Sequence, residues 1–123
     1  MSIGPDELVK KLVPEDAVYY FTSGVDPKTG EMWCSDCVDA KAALANVIIP
    51  ALEKIGGKFI TVNVGQRDEW KNPNHQLRKH AIFNVPKVPT LMFIRDAQKV
   101  AQLVEEQIWD TKMSEAFLSE VEN

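Results

Sequence analysis

The sequence predicts one α/β domain in which parallel strands are joined by a helix and an antiparallel hairpin follows near the end. Short β-branched and aromatic runs alternate with stretches whose apolar residues recur every three or four positions. The last two of these runs are separated by only a short turn-like segment. With 123 residues, 45% of them hydrophobic and 26% charged, residues 1–123 can bury a single core.

The first elements are a short helix and a buried strand. Residues 5–12 have the pattern of an amphipathic helix, which Pro14 ends. Residues 17–22 are a β-branched and aromatic run, typical of a buried strand. Residues 23–30 are rich in Gly, Pro, Asp, Ser and Thr and therefore predict a loop.

A long helix is predicted from Cys34 to about Ile55. Pro50 lies inside this stretch and should kink the helix, and Gly56 and Gly57 should end it. Apolar residues recur at three- and four-residue steps, so we expect one buried stripe. Its members are Val38, Ala42, Ala45, Ile48, Ile49, Leu52 and Ile55.

The middle of the chain predicts a strand at residues 58–64 and a short helical turn at residues 68–71. Asn72 and Pro73 have the residue types of an N-cap and a first helical position. We therefore expect a further helix that runs from this pair to about Ala81.

The last part of the chain predicts a hairpin and a helix. Its strands are expected at residues 90–94 and 99–104, with residues 95–98 as the connection. Asp110 or Thr111 can cap the final helix. The side chains expected to face inward from it are Met113, Phe117, Leu118 and Val121.

Charge and composition exclude several classes of function. The net charge of −4 argues against a nucleic-acid or anionic-membrane partner, either of which favours a basic face. The first residues resemble neither a secretory signal nor a transit peptide, and no window approaches about 18 uninterrupted apolar residues. We therefore expect a cytoplasmic, monomeric protein with no membrane partner. Cysteines in that compartment are more often catalytic, redox-sensing or metal-binding than structural.

The two cysteines, Cys34 and Cys37, lie three residues apart at the start of the predicted long helix. The N–H groups and dipole of a helix N-terminus stabilise negative charge, which favours a thiolate at Cys34. A thiolate is the attacking species in disulfide exchange, and a second thiol one turn away can resolve the mixed disulfide. The pair therefore predicts a thiol–disulfide oxidoreductase.

Two other interpretations of the cysteines are weaker. A structural zinc site usually has four ligands, and this pair supplies two. His75 and His80, the only histidines, would point to different faces of a helix, so we expect no metal site. Two inert buried cysteines are also disfavoured, because Trp33, Ser35 and Asp36 make the segment an exposed polar turn.

Val88-Pro89-Thr90 directly precedes a predicted strand. The simplest interpretation is a turn that ends where the strand begins. If the Val88–Pro89 bond is cis, however, the backbone of Val88 can pair with an extended substrate as an added strand does. The residues alone leave both interpretations open.

Together these motifs resemble the thioredoxin fold: Trp-Cys-x-x-Cys at a helix start, then Val-Pro-Thr before a hairpin. Within that superfamily the chain resembles the 14-kDa thioredoxin-related protein family (thioredoxin domain-containing protein 17-like). The resemblance implies a central mixed sheet flanked by helices. It rests on Tyr20-Phe21-Thr22, Trp33-Cys34-x-Asp36-Cys37, Val64-Gly65, Trp70-Lys71-x-Pro73-Asn74, Arg78 and Val88-Pro89-Thr90.

The resemblance also implies roles for these residues. Cys34 would attack the substrate and Cys37 would resolve the mixed disulfide. Pro89 would be a cis-proline facing the cysteines, and Val88 would offer its backbone to substrate. No bound cofactor is implied: a redox-active Cys34–Cys37 disulfide would receive electrons from NADPH through thioredoxin reductase. The substrates would be disulfides of proteins or small molecules.

This chain departs from the pattern at three positions near the cysteines. Ser35 replaces the usual Pro, so the turn should be looser, and its hydroxyl could bond a thiolate or cap the helix. Asp36 opposes a thiolate but favours the helix start, or it could act on the proton of a reacting thiol. Residues 17–22 lack the buried acid of thioredoxins proper. Deprotonation of Cys37 would then depend on solvent, Asp36 or Asp39.

The function therefore keeps three candidates. The first is an NADPH-linked disulfide reductase, with Trp33 at the rim of its site. The loop at residues 24–31 is either a client-restricting feature or a surface insertion. The others are a redox sensor whose Cys34–Cys37 bond switches an interaction, and a binding module that uses the same surface without turnover.

Overall fold

A computed structural model describes residues 2–123 and contains a five-stranded mixed sheet in the order β1-β3-β2-β4-β5. The strands are β1 (Ser2–Ile3), β2 (Ala17–Thr22), β3 (Phe59–Asn63), β4 (Thr90–Arg95) and β5 (Gln98–Val104). β1 and β2 run parallel to β3, whereas β4 is antiparallel to β2 and β5 to β4. The predicted combination of parallel strands and a later antiparallel hairpin is confirmed.

Helices lie on both faces of this sheet. They are α1 (Pro5–Val9), α2 (Ser35–Ala43), α3 (Ile49–Lys54), α4 (Arg67–Lys71) and α5 (Thr111–Glu122). A π-helical turn, Leu44–Ile48, joins α2 to α3, and a 3₁₀ segment, Glu105–Trp109, joins β5 to α5. No helix within residues 2–123 is long and apolar enough to cross a membrane.

The core has two halves because successive side chains of a strand point to opposite faces. On one face of β2, Tyr19 and Phe21 pack edge-on against Phe83, with ring centroids 5.1 and 5.7 Å apart. On the other face, Val18 and Tyr20 belong to the cluster formed with the long helical stretch and α5. The fully buried strand predicted at residues 17–22 is confirmed.

The buried stripe of the long helical stretch differs from the predicted one. Its buried members are Cys37, Ala40, Leu44, Ile48 and Leu52. The prediction was wrong for four residues that are exposed: Val38, Ala42, Ala45 and Ile55. In α2 the buried face is that of Cys37 and Ala40, so Val38 and Ala42 turn outward. Beyond it, the wider winding of the π-helical turn keeps Leu44, Ile48 and Leu52 on one face and leaves Ile55 outside.

Pro50 directly follows the π-helical turn, and the helix continues beyond it as α3. The Ile49 N–H bonds the Leu44 carbonyl five residues back, and Pro50 occupies the first turn of α3, where a missing N–H is tolerated. The helical stretch ends at Lys54, just before the predicted glycine pair.

The helix predicted from Asn72 to about Ala81 is absent, and residues 72–86 form turns. Asn72 Oδ1 accepts from the Asn74 N–H at 2.9 Å, and His75 Nδ1 accepts from the Leu77 N–H at 3.1 Å. The Asn72 bond is the one that an N-cap makes, but His75 then accepts from an N–H that a helix would bond to the carbonyl four residues back. The segment is nevertheless packed, because Leu77 is fully buried.

Smaller corrections concern the first and last helices. α1 ends at Val9, not at Leu12, whose side chain is 96% exposed. Asp110 caps α5 as predicted and accepts from the Met113 N–H at 3.0 Å. Met113 itself is exposed, contrary to the prediction, because Ser114 faces inward and donates to the Ile108 carbonyl at 2.7 Å.

Candidate active site

The two cysteines lie where β2 and its following loop meet the N-terminus of α2. Cys34 is the N-cap residue: its sulfur accepts a hydrogen bond from the Cys37 N–H at 3.2 Å, and its carbonyl also accepts from that N–H. α2 therefore begins at Ser35, with the sulfur in the position of a capping oxygen. Both cysteines are free thiols; Cys34 is 9% exposed and Cys37 is fully buried.

The two thiols titrate as a pair because they share a hydrogen bond from Cys34 to Cys37. That bond contributes most to lowering the pKa of Cys37, burial opposes it, and contacts from Ser23 and Thr22 add to it, so that the pKa falls to about 7. The same bond, together with burial, raises the pKa of Cys34. The pair therefore loses its first proton near neutral pH and holds the second more tightly.

This arrangement differs from the expectation of a lowered pKa at Cys34. After the first proton is lost, the two sulfurs share one negative charge and one proton. Transfer of that proton from Cys34 to Cys37 places the charge on Cys34, the more exposed sulfur. There the Cys37 N–H and the start of α2 stabilise it. Exposure decides which sulfur a substrate can reach, and that sulfur is Cys34.

The segment before β4 faces the cysteines. The Cys34 sulfur lies 3.6 Å from the carbonyl oxygen of Val88, and the Val88–Pro89 peptide bond is cis. The carbonyl of Pro89 accepts from the Glu105 N–H at 2.9 Å, and Thr90 Oγ1 donates to the Lys87 carbonyl at 2.6 Å. The structure thus places Val88 against Cys34 and fixes the residues on either side of it.

Trp33 is held at the rim by two neighbours. Its ring N–H donates to the Gly65 carbonyl at 2.9 Å, and its own carbonyl accepts from Arg67 Nη2 at 2.8 Å. The Arg67 guanidinium lies 5.7 Å from the ring centroid, within cation–π range. The loop that follows β3 therefore orients the residue before Cys34.

Trp70 and Arg78 join α4 to the turns before Pro89. The Arg78 guanidinium lies 3.9 Å from the Trp70 ring centroid, and its Nε donates to the Trp70 carbonyl at 2.8 Å. Its Nη1 also reaches the Pro86 carbonyl at 3.4 Å. Trp70 is buried and therefore packs within the core.

An open cleft of about 600 Å³ adjoins Cys34. Predicted site residues line it: Trp33, Cys34, Ser35, Asp36 and Val88. Charged side chains make up much of the remainder: Arg67, Lys71, Arg78, Lys87 and Glu105. Cys37 and Pro89 lie behind this surface and do not line it. The cleft is therefore accessible to a disulfide at Cys34 and polar around it.

Glu105 is a site residue that sequence reasoning missed. Its carboxylate is paired with Lys87 at 3.4 Å and lies close enough to Asp36 to act on the pKa of that carboxyl. Burial and then Glu105 raise the pKa of Asp36. Glu105 begins the 3₁₀ segment after β5, which was not predicted, and its own φ is +53°. No local feature of the sequence indicates that it lies near the cysteines. Only the hairpin brings it there.

The histidines have structural contacts. His75 Nε2 lies 2.9 Å from the Val64 carbonyl oxygen, and its ring packs edge-on against Trp70 at 5.0 Å. His80 packs against Phe83 at 4.8 Å. Among residues 2–123, no group of three or more His, Cys, Asp or Glu side chains is arranged to hold a metal ion.

Comparison with known proteins identifies relatives of this arrangement. A family model described as "Thioredoxin domain-containing protein 17-like, thioredoxin domain" matches residues 6–120. The human thioredoxin domain-containing protein 17 is 36% identical over 101 residues, which cover 82% of this chain and 76% of that protein. A Leishmania infantum protein named acireductone dioxygenase is 32% identical over 100 residues, covering 76% of this chain. The chain spans only 29% of that protein's length.

Solved structures show the same fold. Thioredoxin 2 from Pseudomonas aeruginosa, in its reduced form, superposes with a TM-score of 0.52 at 27% identity, over 94% of this chain and 86% of that one. Schistosoma mansoni thioredoxin gives a TM-score of 0.54 at 18% identity, over 98% and 97% of the two chains. The predicted thioredoxin fold is confirmed. With the Cys34/Cys37 pair, it supports a thiol oxidoreductase kind of function.

Proposed function

The chain belongs to the thioredoxin domain-containing protein 17-like family, and we propose that it is a disulfide reductase that works through a Cys34/Cys37 dithiol cycle. The observation that carries this proposal is the unequal exposure of two free thiols at one helix start, where the Cys37 N–H bonds the Cys34 sulfur. Cys34 opens onto the cleft, whereas Cys37 is buried one turn behind it. That geometry supports attack by one sulfur and resolution by the other.

In the first step, the Cys34 thiolate attacks one sulfur of the substrate disulfide. The substrate S–S bond breaks, its other sulfur leaves as a thiolate and takes a proton, and a mixed disulfide forms on Cys34. In the second step, Cys37 loses its proton and attacks the Cys34 sulfur. The protein disulfide forms, the second substrate thiolate leaves, and two electrons have passed to the substrate.

We propose that thioredoxin reductase and NADPH return the Cys34–Cys37 disulfide to the dithiol in the cytoplasm. The open, polar cleft beside Cys34 supports substrates that present an accessible disulfide, either on a protein or in a small molecule. The backbone of Val88, which lies against the Cys34 sulfur, would contact the chain that carries the disulfide.

The test is NADPH oxidation in a mixture of this protein, thioredoxin reductase and either cystine or insulin. We expect NADPH consumption that depends on the protein and on the disulfide, over many turnovers. A matched variant, Cys34→Ser, should abolish it. No consumption with either substrate, although the dithiol titrates normally, would overturn the reductase proposal. A redox sensor would instead consume about one equivalent and stop.

A further inference from the structure

Three buried hydroxyl groups lie behind the site, at the end of β2. They belong to Tyr20, Thr22 and Ser23, whose residues are 5%, 7% and 4% exposed. None of the three has a hydrogen-bond partner among the described residues. Tyr20 and Thr22 are two positions apart on β2 and therefore share one face of the strand. We call these three groups the hydroxyl cluster.

The hydroxyl cluster adjoins Cys37. The bond from Cys34 lowers the pKa of Cys37 most, burial opposes it, and the backbone and hydroxyl of Ser23 and the hydroxyl of Thr22 lower it further. The Tyr20 hydroxyl lies close enough to Thr22 and to Cys37 for both to act on its pKa. Burial, followed by the charge of Cys37, raises the pKa of Tyr20, so its phenol keeps the proton and remains a donor.

Buried hydroxyls without partners are unfavourable, and natural proteins have few of them. A neutral thiol does not relieve this, because thiol sulfur is a weak hydrogen-bond acceptor. A thiolate does, since hydrogen bonds to an ionised acceptor are about twice as strong. The hydroxyl cluster is therefore better matched to the Cys37 thiolate than to the Cys37 thiol.

The cluster matters most at the resolving step. In the mixed disulfide Cys34 has no S–H, so the largest contribution to lowering the pKa of Cys37 is lost. β2 carries no carboxylate that could compensate. The groups that still lower the pKa of Cys37 are the backbone and hydroxyl of Ser23 and the hydroxyl of Thr22.

We propose that Tyr20, Thr22 and Ser23 are positioning residues whose hydroxyls stabilise the Cys37 thiolate while it resolves the mixed disulfide. This proposal rests on the proposed dithiol cycle. In the step concerned, the Cys37 proton passes to water and its sulfur attacks Cys34. The Cys34–Cys37 bond forms, the bond from Cys34 to the substrate breaks, and the substrate sulfur leaves with the electron pair.

The test uses dithiobis(nitrobenzoate), an aromatic disulfide that releases one coloured thiolate when Cys34 attacks it and a second when Cys37 resolves the adduct. Stopped-flow absorbance separates the two phases in the full chain. The variants are Tyr20→Phe, Thr22→Val and Ser23→Ala, with Thr22→Ser as the variant that keeps a hydroxyl. Ser114→Ala is the matched control, because it removes a buried hydroxyl that bonds Ile108.

We expect Thr22→Val to slow the second phase about tenfold near pH 6, the effect of losing one hydrogen bond to a charged group. The difference in second-phase rate between Thr22→Val and wild type should disappear at a pH above the pKa of Cys37 in the mixed disulfide, because Cys37 is then ionised in both proteins. The first phase should be unchanged, and Thr22→Ser and Ser114→Ala should behave as wild type. A general packing defect would not be rescued by raising the pH.

The inference is overturned if the combined Tyr20→Phe, Thr22→Val and Ser23→Ala variant keeps a second phase within about twofold of wild type at all pH values. It is also overturned if both phases slow equally. Its failure is distinguishable from failure of the dithiol cycle. If the dithiol cycle itself fails, wild type and all the variants should release only one coloured thiolate per chain.

Discussion

Among individual residues, exposure and hydrogen bonding support different proposed roles for Cys34 and Cys37. The sulfur of Cys34, at the N-cap, borders the open cleft, while that of Cys37 is fully enclosed. Their shared proton makes the pair acidic enough to hold one thiolate near neutral pH. The sequence predicts that Cys34 attacks and Cys37 resolves, and the folded chain adds the unequal exposure that supports this division.

Removing one cysteine at a time tests the division. The Cys37→Ser variant should accumulate mixed disulfides with substrate, because Cys34 still attacks and nothing resolves the product. Cys34→Ser should accumulate few, because Cys37 is buried. Non-reducing electrophoresis and intact mass measure both. Equal trapping by the two variants would reverse or remove the assigned roles.

Asp36 offers a second test at this scale. Its charge raises the pKa of Cys34, although the bond to Cys37 and burial contribute more. In Asp36→Asn the rate of iodoacetamide alkylation should therefore rise at lower pH than in wild type. Asp39→Asn, an exposed change on the same helix, is the matched control and should leave the pH profile in place. An identical shift in both variants would mean that only general charge is felt.

Among the structural elements, the turns before β4 hold Val88 against Cys34, and contacts of Arg78 support these turns. Arg78 ties Trp70 to Pro86 and so supports the turns that carry Val88 to Cys34. Three interactions therefore converge on one guanidinium. Lysine cannot reproduce them, since it lacks the planar fork.

We expect Arg78→Lys to lower the free energy of unfolding by about 1–3 kcal/mol, the sum of a stacked cation and hydrogen bonds from a charged group. Urea denaturation followed by fluorescence measures the change. Lys79→Ala is the control, because Lys79 is exposed, and it should fall within about 0.5 kcal/mol of wild type. An unchanged midpoint in Arg78→Lys would show that the contacts add no stability.

The loop at residues 24–31 is anchored at its base and exposed at its tip. Val25 bridges to Met32, and the Val25 carbonyl accepts from Gln66 Nε2 at 2.8 Å. We expect a shortened loop to raise the rate of insulin reduction while cystine reduction stays within about twofold, because only a large substrate meets the rim. Equal changes with both substrates would assign the loop a structural role.

Elements with strong local signals were predictable, and those set by distant contacts were not. β2 and its hairpin partners carry dense β-branched and aromatic runs, and their bounds agree closely with the structure. Residues 72–81 carry good helix-start residues, yet side chains of Asn72, His75 and His80 capture the N–H groups locally. β1 is too short to show a period and exists only through pairing with β3.

For the molecule as a whole, the mixed sheet brings separate parts of the chain to one end. The loop after β2, helix α4 after β3, the turns before β4 and the 3₁₀ segment after β5 all reach the cleft beside Cys34. The sequence motifs identified the first and third of these. Glu105 and the hydroxyl cluster could not be identified in advance, because their significance depends on distance to a sulfur and not on spacing.

The most direct test of the account is a single turnover with the reduced protein and cystine, without any reductase. The account predicts loss of both free thiols, release of two cysteines per chain, and an intramolecular Cys34–Cys37 disulfide in the peptide mass map. Release of one cysteine with a stable adduct on Cys34, or disulfide-linked dimers in place of the intramolecular bond, would contradict it.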